Sequence, residues 1–235
     1  MAAVSGALER SVLADQVKER ILSAILRGEY GPDSRIVETQ VARELGTSQA
    51  PVREALRGLE ALGVVVIEPF RGARVRRPSR REILEAYAVR SALETLAATL
   101  AVPRLAPADV DELAGHLSAM RAAADADDGG SLAEADAAFH GAIVELADNA
   151  TLLRVWRSLE PFSRTYLTLV VPGADAHWAA ELHAPILEAA ERRDALALAD
   201  ALRDHFERVS ENMSRRLPPE VDGATPAPQP VGAAR

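Results

Sequence analysis

Asp136, His140, His183 and His205 are the residues whose types and spacing could hold a metal ion. Asp136 and His140 are four positions apart in a segment with helical periodicity, so their side chains project from one face. His183 and His205 are equidistant from residue 194, where the pattern predicts a turn between two helices. If those helices run antiparallel, both histidines lie roughly 16 Å from the turn, level with each other. Mixed nitrogen and oxygen ligation suits zinc, nickel, manganese or iron.

Each of these residues also has a simpler interpretation. A histidine on an amphipathic helix is more often a hydrogen-bonded core residue than a ligand, and an aspartate four positions before it often forms a local pair. Spacing alone therefore leaves the metal site and the purely structural role both open. His116 and His177, the other two of the five histidines, have no matching partner and are predicted to be ordinary residues.

Arg90 is a further polar residue that the pattern singles out, because it shares a helix face with Ile83 and Ala97, which should be buried. A buried guanidinium requires an acid, another hydrogen-bond acceptor or an anionic ligand. Glu94, one helical turn later, can supply the acid as an i,i+4 pair. The residues alone leave the local pair and the ligand-binding role open.

The segments that would position these residues are helical from Ser79 onward. Ser79 and Glu82 have the spacing of a capping box, and apolar periodicity begins just after them. Helices are predicted over 80–101, 107–125, 131–147, 151–171, 176–192 and 195–216, separated by breaks rich in proline, glycine, aspartate and asparagine. They predict an all-α helical bundle over residues 80–217, followed by a proline-rich disordered tail over 218–235.

The N-terminal residues have a different pattern. After a first amphipathic helix, two short helices are predicted on either side of a turn at Gly46. Val41 and Leu45 are expected to face inward on the first of them, and Ser48 to cap the second. A β-branched run and an alternating segment over 63–78 then predict a two-stranded hairpin. This order is typical of a helix-turn-helix followed by a wing.

The chemistry of the second short helix and the hairpin suits DNA. The second helix of such a motif lies in the major groove. Gln49 can form two hydrogen bonds with adenine, Ala50 can touch a thymine methyl group, and Arg53 can bind guanine or phosphate. Gly72 at the hairpin tip would allow close approach to a phosphate. The predicted DNA-contacting residues are Ser48, Gln49, Ala50, Pro51, Arg53 and Arg57 of the helix and Arg71, Gly72 and Arg74 of the hairpin.

Charge separates the two units. Residues 1–79 hold 12 basic and 10 acidic side chains, whereas residues 80–235 hold 15 and 25, which gives net charges of +2 and −10. The acidity of the whole chain therefore does not exclude DNA as a partner of the first unit. Cysteine is absent, which excludes disulfides and thiolate metal sites, and no apolar run is long enough to span a membrane. The sequence predicts a cytoplasmic protein without a membrane partner.

The segment GTSQAPVREALRGLEALGVVVIEPFRGARV, within residues 13–75, resembles the winged helix-turn-helix of GntR-type transcriptional regulators. Residues 80–215 resemble the all-helical ligand-binding domain, the FCD domain, of the FadR-like subfamily. The resemblance implies a homodimer that releases or rebinds double-stranded operator DNA when a small metabolite binds. One departure is Gln49, where family members often carry arginine, so the preferred operator sequence is expected to differ.

The resemblance also implies site residues in the helical domain. Many FadR-like domains bind a divalent metal ion through an Asp-x-x-x-His motif and two later histidines, and Asp136, His140, His183 and His205 match those positions. A helix-ending asparagine near the cavity matches Asn149, although this residue could equally be a helix C-cap. The ligand-binding residues expected on this basis are Arg90, Asn149 and Arg164, with Trp156 beside them.

Together these observations predict a mainly α protein, in which a winged helix-turn-helix with a small β-hairpin (residues 1–79) precedes an all-α helical bundle effector domain (residues 80–217). The predicted function is a ligand-responsive transcriptional regulator, a repressor rather than an activator, that binds a metal ion and a small carboxylate and is not an enzyme. Two alternatives stay open. One is a metal-dependent hydrolase in which the Asp/His₃ set activates water, and the other is a regulator that senses the metal ion itself.

Overall fold

The computed structural model describes residues 5–68, 72–169 and 175–216, with side chains for 12–68, 72–161 and 175–216. The N-terminal unit contains α1 (Ser5–Leu26), β1 (Arg35–Ile36), α2 (Glu38–Glu44), α3 (Gln49–Ala61), β2 (Val65–Glu68) and β3 (Gly72–Val75). The helical unit contains α4 (Arg80–Ala101), α5 (Pro107–Asp125), α6 (Gly129–Leu146), α7 (Ala150–Leu169), α8 (Ala176–Glu181), α9 (Ala184–Glu191) and α10 (Ala195–Arg216). The predicted fold class, mainly α with a small N-terminal sheet, is confirmed.

The N-terminal unit packs its three helices and its sheet around one apolar core. Val17 and Ile21 of α1 are buried with Leu56 and Leu59 of α3, because apolar residues at helical spacing line one face of each helix. The inward position predicted for Leu45 is wrong. Leu45 lies just past the end of α2, where the chain turns, and its side chain is partly exposed.

The sheet has three strands rather than the predicted two. β3 pairs antiparallel with β2 on one side and with β1 on the other, and the register places Ile36 opposite Ala73. A strand of two residues is too short to show any periodicity, which is why the sequence did not predict β1. The extra strand ties the wing to the segment between α1 and α2.

The helical unit is a bundle in which α4 packs against α6, α7 and α10, and α5 packs against α6, α8 and α9. The predicted capping box is confirmed, since Ser79 Oγ accepts a hydrogen bond from Glu82 N and Glu82 Oε2 accepts one from Ser79 N. The single helix predicted over 176–192 is wrong, because the chain breaks into α8 and α9. Pro185 explains the break: it lacks a backbone N–H and is tolerated only in the first turn of a helix.

Several predictions fall outside the described part of the chain. These are the disordered tail over 218–235, the DNA-contacting role of Arg71, and the side chain of Arg164, whose backbone lies within α7. Within the described residues, no helix is both long enough and apolar enough to cross a membrane.

Candidate metal centre and nucleic-acid interface

Three histidines from three segments meet in the interior of the helical unit. His140, His183 and His205 are all buried, and each offers one ring nitrogen within 4.8 Å of those of the other two. The ring centroids of His183 and His205 are 4.6 Å apart, and those of His140 and His205 are 5.0 Å apart. The Nε2 atoms of His140 and His183 are separated by 3.2 Å. The convergence predicted from spacing is therefore present in the fold.

Asp136 joins the same cluster. Its Oδ1 lies 3.2 Å from Nε2 of His183 and 3.9 Å from Nε2 of His140, one turn later on α6. Burial alone would raise the pKa of Asp136, but its close contact with His183 and the nearby side chains of His140 and Arg90 hold that pKa well below its usual range. The carboxylate is thus ionised and able to act as an oxygen ligand.

The pair α9–α10 positions two of the histidines. The chain reverses at Arg193, whose φ is +53°, and Asp194 Oδ1 then accepts hydrogen bonds from Leu196 N and Ala197 N at the start of α10. The two helices pack against each other, so residues equally distant from the turn come level. His183 immediately precedes α9 and His205 lies within α10, which gives the geometry that the spacing predicted although the helix before the turn is shorter than expected.

The Nδ1 atoms of His140 and His183 show which ring nitrogens face the histidine cluster. Nδ1 of His140 is 2.5 Å from Glu94 Oε2, and Nδ1 of His183 is 3.1 Å from the carbonyl oxygen of Ala179. Because these oxygens only accept hydrogen bonds, both Nδ1 atoms carry the proton and both Nε2 atoms present lone pairs to the cluster. This is the tautomer in which a histidine binds a metal through Nε2.

His205 has a ring nitrogen without a partner in the part of the chain that the structure describes. Its Nδ1 is buried and has no hydrogen-bond partner among the described residues. Burial, together with the neighbouring histidines His183 and His140, lowers the pKa of His205 well below its ordinary value, so the ring is neutral. A neutral imidazole with an unsatisfied buried nitrogen is suited to metal coordination.

The separations also fit a metal ion. Two ligand atoms that each lie about 2.0–2.1 Å from a tetrahedral ion are roughly 3.4 Å apart. The observed values of 3.2 Å between the two Nε2 atoms and 3.2 Å between Asp136 Oδ1 and His183 Nε2 are close to this distance. One carboxylate and three imidazoles suit zinc, nickel, manganese or iron, as the sequence predicted.

Glu94 is a site residue that sequence reasoning considered only as a partner of Arg90. It is fully buried, and its two oxygens accept hydrogen bonds from His140 Nδ1, from Trp156 Nε1 at 2.7 Å and from Arg90 Nε at 3.0 Å. Burial alone would raise the pKa of Glu94, but the charges of His140 and Arg90 and the hydrogen bonds lower that pKa to about 2. The sequence does contain a signal for Glu94, because this acid shares the buried face of α4 with Ile83, Arg90 and Ala97.

Arg90 is buried, as predicted, and forms the predicted i,i+4 pair with Glu94. Its guanidinium lies 5.3 Å from the ring centre of Phe206, 5.7 Å from that of Trp156 and 5.9 Å from that of Tyr87. Its Nη2 is 3.0 Å from Glu94 Oε1 but is not aligned for a hydrogen bond with any residue in the described part of the chain. The local pair thus leaves one donor of the guanidinium unsatisfied.

The remaining predicted residues of this unit lie apart from the cluster. Asn149 is the N-cap of α7 and not a C-cap, because its Oδ1 accepts hydrogen bonds from Thr151 N and Leu152 N. His116 is 3.6 Å from Glu112 in a local surface pair. His177 is exposed and lies 3.8 Å from Asp125.

The first turns of α3 present most of the predicted DNA-contacting side chains. Ser48, Gln49, Ala50, Arg53 and Arg57 are exposed. Pro51 is a correction, since it is buried and packs inward on the same helix. Ser48 precedes α3 but forms no side-chain cap, which corrects its predicted capping role. Arg53 bonds Glu38 Oε2 through Nη2 at 3.1 Å, so its guanidinium is held beside α2.

Arg74 of the wing has local partners within the N-terminal unit. Arg74 donates to the carbonyl oxygen of Asp33 at 3.0 Å and lies 3.4 Å from Glu68. Gly72 has a φ of +87°, and a Cβ at this position would lie 3.3 Å from the carbonyl oxygen of Ile36. The glycine is therefore required by the close approach of β1, which is a role that the sequence did not predict.

The chain is similar to known proteins over both units. Residues 13–75 match the family of bacterial regulatory proteins, gntR family, and residues 85–208 match the FCD domain. It is 37% identical over 205 residues to a probable D-xylose utilization operon transcriptional repressor of Paenarthrobacter nicotinovorans, covering 87% of this chain and 90% of that one. It is 29% identical over 161 residues to a gluconate operon transcriptional repressor of Bacillus licheniformis, covering 67% and 63%.

A solved structure shares the fold. The putative transcriptional regulator GntR from Rhodococcus sp. RHA1 superposes with a TM-score of 0.75 at 23% identity, covering 87% of this chain and 99% of that one. The class that fold and comparisons define is a DNA-binding transcriptional regulator and not an enzyme, so the hydrolase alternative is wrong. The chain belongs to the GntR family and carries an FCD domain, which confirms the resemblance of its sequence.

Proposed function

We propose that this GntR-family protein is a repressor whose helical unit, residues 80–217, binds a divalent metal ion and a small carboxylate that weakens its hold on an operator. The observation that carries the proposal is the cluster of three buried histidines with the half-buried Asp136, together with an arginine that has an unsatisfied donor among the described residues. The two relatives compared above are named as repressors, which favours repression. Operator DNA is in the cytoplasm, where we expect the protein to act.

Asp136, His140, His183 and His205 would hold the ion. When bound, it supplies a positive charge and open coordination positions for a carboxylate oxygen. The protein contributes apolar neighbours: the ring of Phe139 packs edge-on against His183, and the tilted ring of Phe206 packs against His140. In such an interior an ion and a carboxylate attract each other far more strongly than in water.

The charges of the buried groups indicate an effector with a single negative charge. Arg90 and Glu94 balance each other, and Asp136 leaves one negative charge when the histidines are neutral, as metal ligands must be. A divalent ion changes this sum to one positive charge. A monocarboxylate then restores neutrality, with Arg90 as a second anchor through its unsatisfied Nη2.

The N-terminal unit, residues 1–79, would bind double-stranded operator DNA through α3 and the wing. Gln49, Ala50 and Arg53 are exposed, which supports contacts with base edges, and Arg57 is exposed on the same helix. The pairing of Arg53 with Glu38 orients its guanidinium before DNA binds. Arg74 is better suited to a phosphate, because its guanidinium is partly exposed on the wing.

A homodimer is proposed because one winged helix contacts only a half-site. The helical unit offers a surface for it: α4 exposes an apolar stripe that includes Val89, Ala92 and Leu96, and α7, which packs against α4, exposes Val155. Exposed apolar residues at helical spacing on one face are typical of a helix that packs against a partner.

α6 connects the proposed metal site to the DNA-binding unit. It carries Asp136 and His140, and its first turn lies against the end of α1, where a Cβ on Gly130 would be 3.7 Å from the carbonyl oxygen of Leu26. A cleft between the two elements is lined by Ser23, Arg27, Asp127, Asp128 and Ser131. If ligand binding shifts α6, this helix would press on α1, which packs against α3, the proposed DNA-binding helix.

The proposal is tested by thermal unfolding of the protein with a panel of small monocarboxylates, in the presence of zinc and in the presence of a chelator. D-gluconate is included because a relative is named for the gluconate operon, and D-xylose serves as the uncharged comparison. We expect a carboxylate to raise the unfolding midpoint only when zinc is present. A midpoint that zinc raises and that no carboxylate raises further would contradict the carboxylate proposal and favour a sensor of the metal ion itself.

A further inference from the structure

The two carboxylate oxygens of Glu94 have different partners. Oε1 accepts hydrogen bonds from Trp156 Nε1 at 2.7 Å and from Arg90 Nε at 3.0 Å. Oε2 faces Nδ1 of His140. Trp156 Nε1 and Arg90 Nε can only donate hydrogen bonds, so the atom at the position of Oε1 must be an acceptor. The atom at the position of Oε2 then determines whether Nδ1 of His140 donates or accepts a hydrogen bond.

We propose that Glu94 is a positioning residue that fixes His140 in the tautomer with a free Nε2 and, with the same carboxylate, aims Arg90 at the effector. This inference rests on the proposed metal site. Oε2 of the carboxylate accepts a hydrogen bond from Nδ1–H of His140, which leaves the Nε2 lone pair directed towards Nε2 of His183 and Oδ1 of Asp136. Carboxylates that bond the second nitrogen of a ligating histidine orient the ring and raise its basicity.

The burial of Glu94 supports this role over a purely structural one. The residue is completely inaccessible, and a buried carboxylate is costly unless each of its oxygens is satisfied. The pair with Arg90 alone would satisfy one oxygen. The contact with His140 comes from a different helix, α6, and is the contact that connects α4 to the cluster.

The substitution Glu94→Gln separates these roles with almost no change in shape. Trp156 and Arg90 both require an acceptor, so the amide oxygen must occupy the position of Oε1 and the amide NH₂ that of Oε2. The NH₂ group then donates to Nδ1 of His140, which moves the ring proton to Nε2. A protonated Nε2 cannot bind a metal ion until that proton is lost.

The test uses the full-length protein, the Glu94→Gln variant and a control, Glu145→Gln, which makes the same chemical change at an exposed position of α6. Nitrogen NMR of the metal-free proteins at alkaline pH reports which ring nitrogen of His140 is protonated. We expect Nδ1–H in the wild type and the control, and Nε2–H in Glu94→Gln. Competition with a chelating dye should show zinc affinity lower by about 10–100-fold in Glu94→Gln alone.

The outcomes separate this inference from the proposed function. Wild-type protein that binds no zinc would contradict the metal site, while the tautomer of His140 would still test the role of Glu94. Zinc binding that is equal in the wild type and Glu94→Gln, with Nδ1–H in both, would overturn the inference and leave the metal site standing. If Glu94→Gln does not fold, the nitrogen spectrum of the wild type still tests the inference, because an Nε2–H signal for His140 in that spectrum would contradict it.

Discussion

The Nε2 atoms of His140 and His183 lie 3.2 Å apart, and neither imidazole can turn away, because Nδ1 of each is held by an acceptor. In the Nδ1–H tautomer the two Nε2 lone pairs point into the same buried space, where electrostatic interactions are poorly screened. Under the proposed function, a cation bound between the two nitrogen atoms would relieve their repulsion. Asp136 Oδ1, 3.2 Å from Nε2 of His183, would add a negative charge that favours the cation.

Zinc should stabilise the wild-type protein and should fail to stabilise His183→Ala. Ligand binding to the folded state alone adds about 2.7 kcal/mol of unfolding free energy when free zinc is about 100 times its Kd. Metal-free His183→Ala should still fold, since the apolar core does not depend on the ion. Circular dichroism melts with and without zinc measure this effect. The exposed histidine variant His177→Ala should respond like the wild type.

Substitution of Arg53 should weaken operator binding in a sequence-dependent manner. Arg53→Ala is expected to lose about 1–3 kcal/mol for the preferred operator and less for an unrelated duplex, because a contact to a base edge is removed. Fluorescence anisotropy with an operator selected from a random duplex pool measures both values. Arg192→Ala, which removes an exposed arginine at the end of α9, provides the matched control. Equal losses on all duplexes would assign Arg53 to a phosphate.

The apolar stripe on α4 should hold the dimer together. Leu96 is 49% exposed in the single chain, and Leu96→Glu would place a charge in the proposed interface, which is costly to bury without a partner. Light scattering should show a dimer for the wild type and a monomer for this variant. Leu196, 80% exposed at the start of α10, supplies the control Leu196→Glu. A variant at position 96 that remains dimeric would place the interface elsewhere.

A bulky residue at Gly130 should impair communication between the units without changing the metal site. A Cβ there would lie 3.3 Å from Asp128 Oδ1 and 3.7 Å from Leu26 O, so the larger side chain of Gly130→Leu would crowd the contact between α6 and α1. We expect zinc affinity to be retained and the effect of a carboxylate on operator affinity to be largely lost. Gly115→Leu is the control, since a Cβ on Gly115 of α5 meets no atom within 4 Å. Full retention of the carboxylate effect would exclude this contact as the route.

Helical geometry made much of the metal cluster predictable. Asp136 and His140 share a face because they are one turn apart, and His183 and His205 come level because helices of similar rise run antiparallel from the turn at residue 194. Both relationships depend only on position within a helix. The break at Pro185 does not change the relative level of His183 and His205, since the residues between His183 and the turn remain helical.

The parts that the sequence did not predict depend on contacts between elements. Glu94 has an obvious local partner in Arg90, and only the packing of α4 against α6 brings it to His140. β1 is two residues long and forms because β3 offers it an unpaired edge. Gly72 and Pro51 were predicted to contact DNA from their residue types. The structure shows that Gly72 lies close to the carbonyl oxygen of Ile36 and that Pro51 is buried, and both features depend on packing between elements.

The most direct test of the account is the operator affinity of the wild-type protein, measured by fluorescence anisotropy with and without a stabilising monocarboxylate, in zinc-loaded and metal-free forms. The account predicts that the carboxylate weakens operator binding of the zinc-loaded protein by about 5- to 150-fold, the usual range of allosteric coupling. It predicts no effect on the metal-free protein or on His183→Ala. A carboxylate effect of equal size in all three forms would contradict the role of the metal site.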